Sequence, residues 1–214
     1  MISFDRREAL RYMGYHGAEP DAAVAESLER CAAELQAAVQ PKSISARFPL
    51  SFTGENTMQI GDLTVTSANL ARNLRGCTEV YLMAATLGIG ADRLIARASA
   101  VRMSDAVILQ AVAAAMIETC CDEVNDVLRR TAEREGLYCR PRFSPGYGDF
   151  SIEHQRDFSR LLDTPRKIGL TVTESCLLAP IKSVTAVIGL SPEKQDCHRK
   201  GCEECGKTDC NFRR

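Results

Sequence analysis

Tryptophan is absent from this 214-residue chain, and aromatic residues make up only 6% of it. A nucleic-acid platform built from a wall of stacked rings is therefore not available. An excess of one charge is also missing. The 27 Lys and Arg nearly cancel the 28 Asp and Glu, leaving a net charge of -1, which argues against a nucleic-acid partner held by bulk positive charge. The three histidines, His16, His154 and His198, are far apart, and none sits in a triad-like motif. Long hydrophobic runs are lacking too. The longest apolar stretch, 106–117, is broken by Gln110 and falls short of the roughly 20 residues that span a bilayer. The first residues, Met1-Ile2-Ser3-Phe4-Asp5-Arg6-Arg7-Glu8, are charged and carry no apolar core of a signal peptide. These absences predict a soluble, cytoplasmic protein with no nucleic acid and no membrane among its partners. In that compartment its ten cysteines are expected to be thiols or metal ligands.

What is present is a hydrophobic content of 45%, enough for one substantial core. Apolar and small residues at Ala22, Val24, Ala25, Leu28, Ala32, Leu35 and Val39 recur at helical spacing, so 5–38 reads as helical, with Pro20-Asp21 opening its main segment and Pro41 ending it. Two β-like runs follow, 43–52 and 57–66, with Gly54 between them and Gly61-Asp62 inside the second, a hairpin or meander signature. Ser67 is placed to cap a short helix to Leu74, closed by Gly76. Residues 79–86 read as a buried strand, and helices are predicted over 89–100 and 104–134. The apolar stripe of the longer helix is Ile108, Val112, Ala115, Met116, Val124, Val127 and Leu128. Residues 139–152 read as an ordered loop, 154–162 as a short helix, and 168–173 and 183–190 as strands. Helices, strands, helices and strands in that order do not make a regular βαβ series. The fold class predicted is α+β, a twisted and mostly antiparallel sheet with packed helices.

Gly88-Ile89-Gly90-Ala91-Asp92-Arg93 lies between a strand and a helix, the context of a phosphate-binding turn. Its third position is Arg93 and no acidic residue ends a second strand about 20 residues on, so the dinucleotide fingerprint fails. A strand-to-helix turn is the simpler reading.

Arg142-Phe143-Ser144-Pro145-Gly146-Tyr147 is a chemically distinctive loop. Arg142 offers a planar fork suited to a carboxylate. Pro145 stiffens the backbone, Gly146 permits positive φ or close approach of a ligand, and Tyr147 supplies a flat face and a hydroxyl. On these grounds alone a structural loop with a surface Arg is the leading reading. The loop resembles the Arg-Pro-Ala-Pro-Gly-Tyr element in the activation domain of cobalamin-dependent methionine synthases. Arg142, Pro145, Gly146 and Tyr147 match it directly, Ser144 stands for its alanine and Phe143 for its first proline. Thr173-Glu174-Ser175, Pro180 and Ser183-Val184 resemble a second family segment. The resemblance covers residues 104–190.

It implies an activation-domain-like fold over 1–191 and S-adenosylmethionine bound by Arg142, Ser144, Pro145, Gly146 and Tyr147. Glu174 is implied as a further binding residue, with pairing to a nearby Arg as the alternative. It also implies a supporting role in the reductive remethylation of cob(II)alamin to methylcobalamin, the cobalamin being held by a separate methionine synthase chain or another corrinoid protein, with an electron donor as a further partner. No nucleophile or general base of this chain is needed, and no catalytic residue is expected. The family's N-terminal aspartate, which touches the ligand's amino group, has no placed counterpart here. Its C-terminal tyrosine is replaced by a cysteine-rich tail.

That tail, 192–214, is charged and poor in aliphatic residues. Cys197, Cys202, Cys205 and Cys210 fall within 14 residues as C-x4-C-x2-C-x4-C, a metal-binding pattern in a reducing compartment. Zinc held by four thiolates and an iron–sulfur cluster both suit this spacing. Cys31, Cys77, Cys120, Cys121, Cys139 and Cys176 are scattered and are expected to pack as small hydrophobes. Other readings of the whole chain are an independent methyltransferase, which the failed glycine motif disfavours, and a non-catalytic metal-binding interaction protein.

Overall fold

A computed structural model describes residues 3–15 and 17–194. His16, His198 and the four metal-ligand candidates Cys197, Cys202, Cys205 and Cys210 lie outside the described residues.

The region predicted as one helical stretch forms two helices, α1 (Arg6–Tyr12) and α2 (Ala22–Ala38). The chain restarts at α2 because Asp21, after Pro20, accepts a 2.8 Å bond from Val24 N and satisfies an otherwise orphaned helix N–H. Strand β1 (Lys42–Phe52) follows. The next predicted run is a hairpin of two strands, β2 (Thr57–Ile60) and β3 (Leu63–Thr66), turning at Gly61-Asp62. Ser67 caps α3 (Ala68–Asn73), accepting from Leu70 N at 3.0 Å. Then come β4 (Glu79–Thr86), α4 (Ile89–Val101) and the long α5 (Met103–Arg134).

Two-residue β5 (Tyr138–Cys139) precedes the loop, which ends in a 3₁₀ turn at Ile152–His154 and α6 (Gln155–Leu162). The predicted strand at 168–173 is mostly absent. Pro165 stands in the first turn of α7 (Thr164–Ile168), where its missing N–H costs nothing. Strand structure there shrinks to β6 (Thr171–Val172), paired with β7 (Leu178–Ala179). The last strand is β8 (Ser183–Ser191).

The main sheet is antiparallel throughout, in the order β3-β2-β1-β4-β8-β5. Side chains of β4 alternate between two cores, as the period of a strand requires. Tyr81, Met83 and Ala85 join Ile188 and Leu190 under α1, α2, α4 and α5. Val80, Leu82 and Ala84 join Val187, Phe150 and Phe158 on the face covered by α3, α6 and α7. The architecture is the α+β class expected, with the central sheet covered on both faces.

α5 is long and apolar enough in composition to cross a bilayer, contrary to the reading of its sequence, but 61% of the relevant window is buried inside the fold. It is the central core helix. Its stripe runs as predicted except at Val127, which rotates out of line with Val124 and Leu128 and is 58% exposed. Of the scattered cysteines, Cys31, Cys77, Cys120, Cys121 and Cys176 are buried. Burial pushes the Cys121 thiol up to about 12.

The Gly88–Arg93 turn has a packing cause. Gly88 has φ +81 at the head of α4, and a Cβ on Gly90 would sit 2.0 Å from the Ala38 carbonyl oxygen. The glycines let α4 lie against the end of α2. Structural demand accounts for them without any phosphate.

Candidate functional site

β8 is paired along its whole length with β4, but its outer edge is only partly covered. β5 pairs with Leu190 and Ser191, and Arg140 N donates to the Gly189 carbonyl at 2.8 Å. Phe143 makes a single bridge to Val187, with N–H to O distances of 2.9 and 2.8 Å. Beyond Val187, among the described residues, no strand pairs with the outer edge of Ser183, Val184, Thr185 and Ala186. Antiparallel pairing alternates which residues face outward. Since Val187 and Gly189 face out, the main chain of Thr185 faces out as well.

At this bare edge the chain turns away to form the loop identified from sequence. Tyr147 N donates to the Ser144 carbonyl at 3.1 Å, Phe150 N to Tyr147 O at 3.0 Å and Gly146 N to Phe150 O at 2.8 Å. Gly146 adopts φ +96 and Gly148 φ +55, conformations that L side chains resist. Asp149 fixes the far end of the loop. Its carboxylate accepts from Ser67 Oγ, Ala68 N and Asn69 N at the start of α3, and from Asn69 Nδ2. These bonds, led by the one from Ser67, hold the Asp149 carboxyl at about 2.

Between the loop, β8 and α5 is a cleft of about 360 Å³, lined by Glu118, Arg142, Phe143, Ser144, Pro145, Tyr147, Gln155, Leu178, Ser183, Val184 and Thr185. Four of the six residues predicted for the ligand therefore share one cavity, and Gly146 lies between two of them. Glu174 is not among the lining residues. It sits in the exposed β6–β7 turn, where its carbonyl accepts a 2.6 Å bond from Arg156 Nη2. A roomier depression of about 480 Å³ near the start of β1 is lined by Gln36, Lys42, Cys120, Glu123 and their neighbours. It takes up none of the loop residues, so the β8 cleft is the stronger candidate.

Each wall of the cleft has its own chemistry. Arg142 lies against α5, with Nη2 3.1 Å from Glu118 Oε2 and Nη1 3.0 Å from Asp122 Oδ1. The second contact lacks hydrogen-bond alignment, so buried Nη1 has donor capacity to spare. The Tyr147 ring is 67% exposed and meets Phe143 edge-on at 6.4 Å between centroids. Its free face is available to a flat or cationic group. At the back, Thr185 Oγ1 donates to Gln155 Oε1 at 2.6 Å, both residues being buried. Ser183 Oγ donates to the Pro180 carbonyl at 2.6 Å.

A guanidinium, an aromatic face and an unpaired strand edge suit a small ligand with a carboxylate and a planar ring. Among the described residues, no group of three or more His, Cys, Asp or Glu is placed to hold a metal. Sequence reading missed Glu118, Asp122, Asp149, Gln155 and Thr185. A signal existed for the first two, which are acidic, four apart and on one face of α5.

No protein-family model matches the sequence, and no curated protein matches it. Its fold is that of a solved structure, the MetH reactivation domain bound to AdoHcy. The two superpose with a TM-score of 0.64 over 88% of this chain and 76% of the other, at 16% sequence identity. The chain thus has a reactivation-domain-like fold.

Proposed function

We propose that a chain with this fold binds S-adenosylmethionine in the β8 cleft and presents its methyl group to a corrinoid held by a separate chain. One observation carries the reading. Arg142, Ser144, Pro145 and Tyr147, the loop residues singled out by family resemblance, line a single cleft in a fold that holds AdoHcy in another protein.

The roles of the residues follow from their chemistry. Arg142 receives the ligand's carboxylate through the part of its side chain that lines the cleft. The outward main chain of Thr185 and the stiffened turn at Pro145 and Gly146 offer polar backbone groups at fixed positions. Tyr147 covers the purine or the sulfonium. With one electron from a donor, the ligand's methyl group returns cob(II)alamin on the partner chain to methylcobalamin, and that chemistry belongs to the cofactors. The protein binds and orients, which is why it needs no nucleophile.

We extend the reading to Cys197, Cys202, Cys205 and Cys210. An iron–sulfur centre there would be a source of the electron, and zinc would make the tail a docking element. Metal and sulfide analysis of anaerobically prepared protein separates the two.

The binding reading is tested by calorimetric titration of S-adenosylmethionine into wild type and Arg142→Ala. Saturable binding that weakens roughly 10- to 100-fold in the variant is the expected result, in line with loss of a charge-assisted bidentate contact. Absence of binding to the wild type, alone and with a cobalamin-loaded partner, rejects it.

A further inference from the structure

The Arg142 guanidinium at the cleft wall is faced by more negative charge than it neutralises. Arg142 contributes one positive charge, while Glu118 and Asp122, both in contact with its guanidinium, contribute two negative charges. The three together leave a net charge of -1. Asp122 stands outside the lining, against the Arg142 guanidinium, and the lining side chains other than Glu118 and Arg142 are neutral. Lys182, next to the cleft in sequence, turns its Nζ to the Gln110 carbonyl at 3.2 Å and has Asp92 as its electrostatic partner, so it does not restore the balance. Arg156, beside Gln155 in sequence, is directed to the Glu174 carbonyl.

S-adenosylmethionine has a sulfonium, an ammonium and a carboxylate, a net charge of +1. The thioether left after methyl transfer has the same ammonium and carboxylate and is neutral overall. The two ligands share every group that shape, stacking or hydrogen bonding would recognise, apart from one methyl and the charge on sulfur. An excess negative charge beside the cleft distinguishes them, because it attracts the positive sulfur of the one and not the neutral sulfur of the other.

We infer that Glu118, assisted by Asp122, makes this cleft selective for the methylated sulfonium over the spent thioether. The inference rests on the binding reading above. Arg142 serves as the carboxylate anchor and as the clamp that holds Glu118 at the cleft wall, with Asp122 on the same guanidinium. Glu118 carries more of the effect, since it lines the cavity and its side chain is 42% exposed, against 72% for Asp122. Discrimination of this kind clears the site after each transfer, when the ligand loses the charge that held it.

The experiment is a pair of calorimetric titrations of the wild-type chain, with S-adenosylmethionine and with S-adenosylhomocysteine, at low and at high salt. The sulfonium should bind roughly three- to tenfold more tightly at low salt, as expected for one charge near a partly exposed carboxylate. The ratio should shrink towards one at high salt, where such charges are screened. Glu118→Gln keeps a hydrogen-bond acceptor for Arg142 and should lower the low-salt ratio, with a smaller fall in Asp122→Asn. A wild-type ratio of one or less, a ratio indifferent to salt, or a ratio unchanged in the double variant overturns the inference while leaving the binding reading intact. If neither ligand binds the wild type, both fail together. The salt comparison needs no variant, so a substitution that disturbs folding does not remove the test.

Discussion

The Asp149 carboxylate accepts a 2.5 Å hydrogen bond from the Ser67 hydroxyl, joining residues 82 positions apart in the chain. The same carboxylate takes Ala68 N at 2.7 Å and Asn69 N at 3.1 Å, so a residue of the ligand loop caps the head of α3. The helix end gains the acceptors it lacks. In exchange the loop acquires a fixed end four residues after Pro145 in the sequence.

Replacing Asp149 with Ala should cost about 1 kcal/mol, the usual scale for a helix cap, measured by urea unfolding near neutral pH. The pH dependence has a definite sign. The folded-state value of about 2 lies below the ordinary value of about 3.9 for an unfolded Asp. Its contribution is therefore complete above the unfolded value and disappears as pH falls towards the folded one. The variant should differ from wild type at neutral pH and converge with it in acid. A difference that grows on acidification would contradict the capping role.

Gly90→Ala should be far more damaging than its one added methyl suggests. The new Cβ would meet the Ala38 carbonyl oxygen, a backbone atom with nowhere to go, at 2.0 Å. A loss of about 3 kcal/mol or more is expected from such overpacking, read as a fall in thermal midpoint without ligand present. A fully stable variant would return the Gly88–Arg93 turn to consideration as a ligand element.

Thr185→Val removes the hydroxyl that donates to Gln155 Oε1 at 2.6 Å and leaves a buried amide oxygen without its donor. The expected cost is about 1–3 kcal/mol. The same change should weaken ligand binding, because Thr185 and Gln155 both line the cleft and the lost bond no longer holds the Gln155 amide in place. Chemical denaturation and calorimetry on one preparation read both effects.

Arg142→Lys preserves charge but not shape. A lysine presents a point charge without the planar fork, and it cannot span Glu118 and Asp122 as the guanidinium does. Binding of S-adenosylmethionine should fall by about tenfold, an affinity loss of ~1.4 kcal/mol, with little change in unfolding midpoint. Wild-type affinity in the lysine variant would mean that charge alone suffices at this position.

Local signals were the legible ones. Ser67 and Asp21 announced their helices because a cap acts within three residues of itself, and the burial of β4 on both faces followed from its continuous apolar run. The ligand loop was found by its unusual residue types. What stayed hidden depended on contacts across the fold. Nothing near Asp149 hints at α3, and nothing near Thr185 hints at Gln155. Residues 168–173 were misread because Ile168, Leu170 and Val172 alternate like a strand, while Pro165 starts a helical turn that runs to Ile168 and leaves only Thr171–Val172 as strand. Glu174 matched a family segment by type and spacing, but its location in the exposed β6–β7 turn depended on a hairpin that the sequence did not disclose.

The cleft exists because β5 stops after two residues. Had the chain after Cys139 continued along β8 for one more turn of the pleat on either side of Phe143, every outward amide would be spent on a neighbour and the opening would be zipped shut. The vacancy is thus a matter of how much strand the protein declines to make. It follows that an insertion or deletion near residue 140 could create or erase a binding site without altering any side chain that faces it.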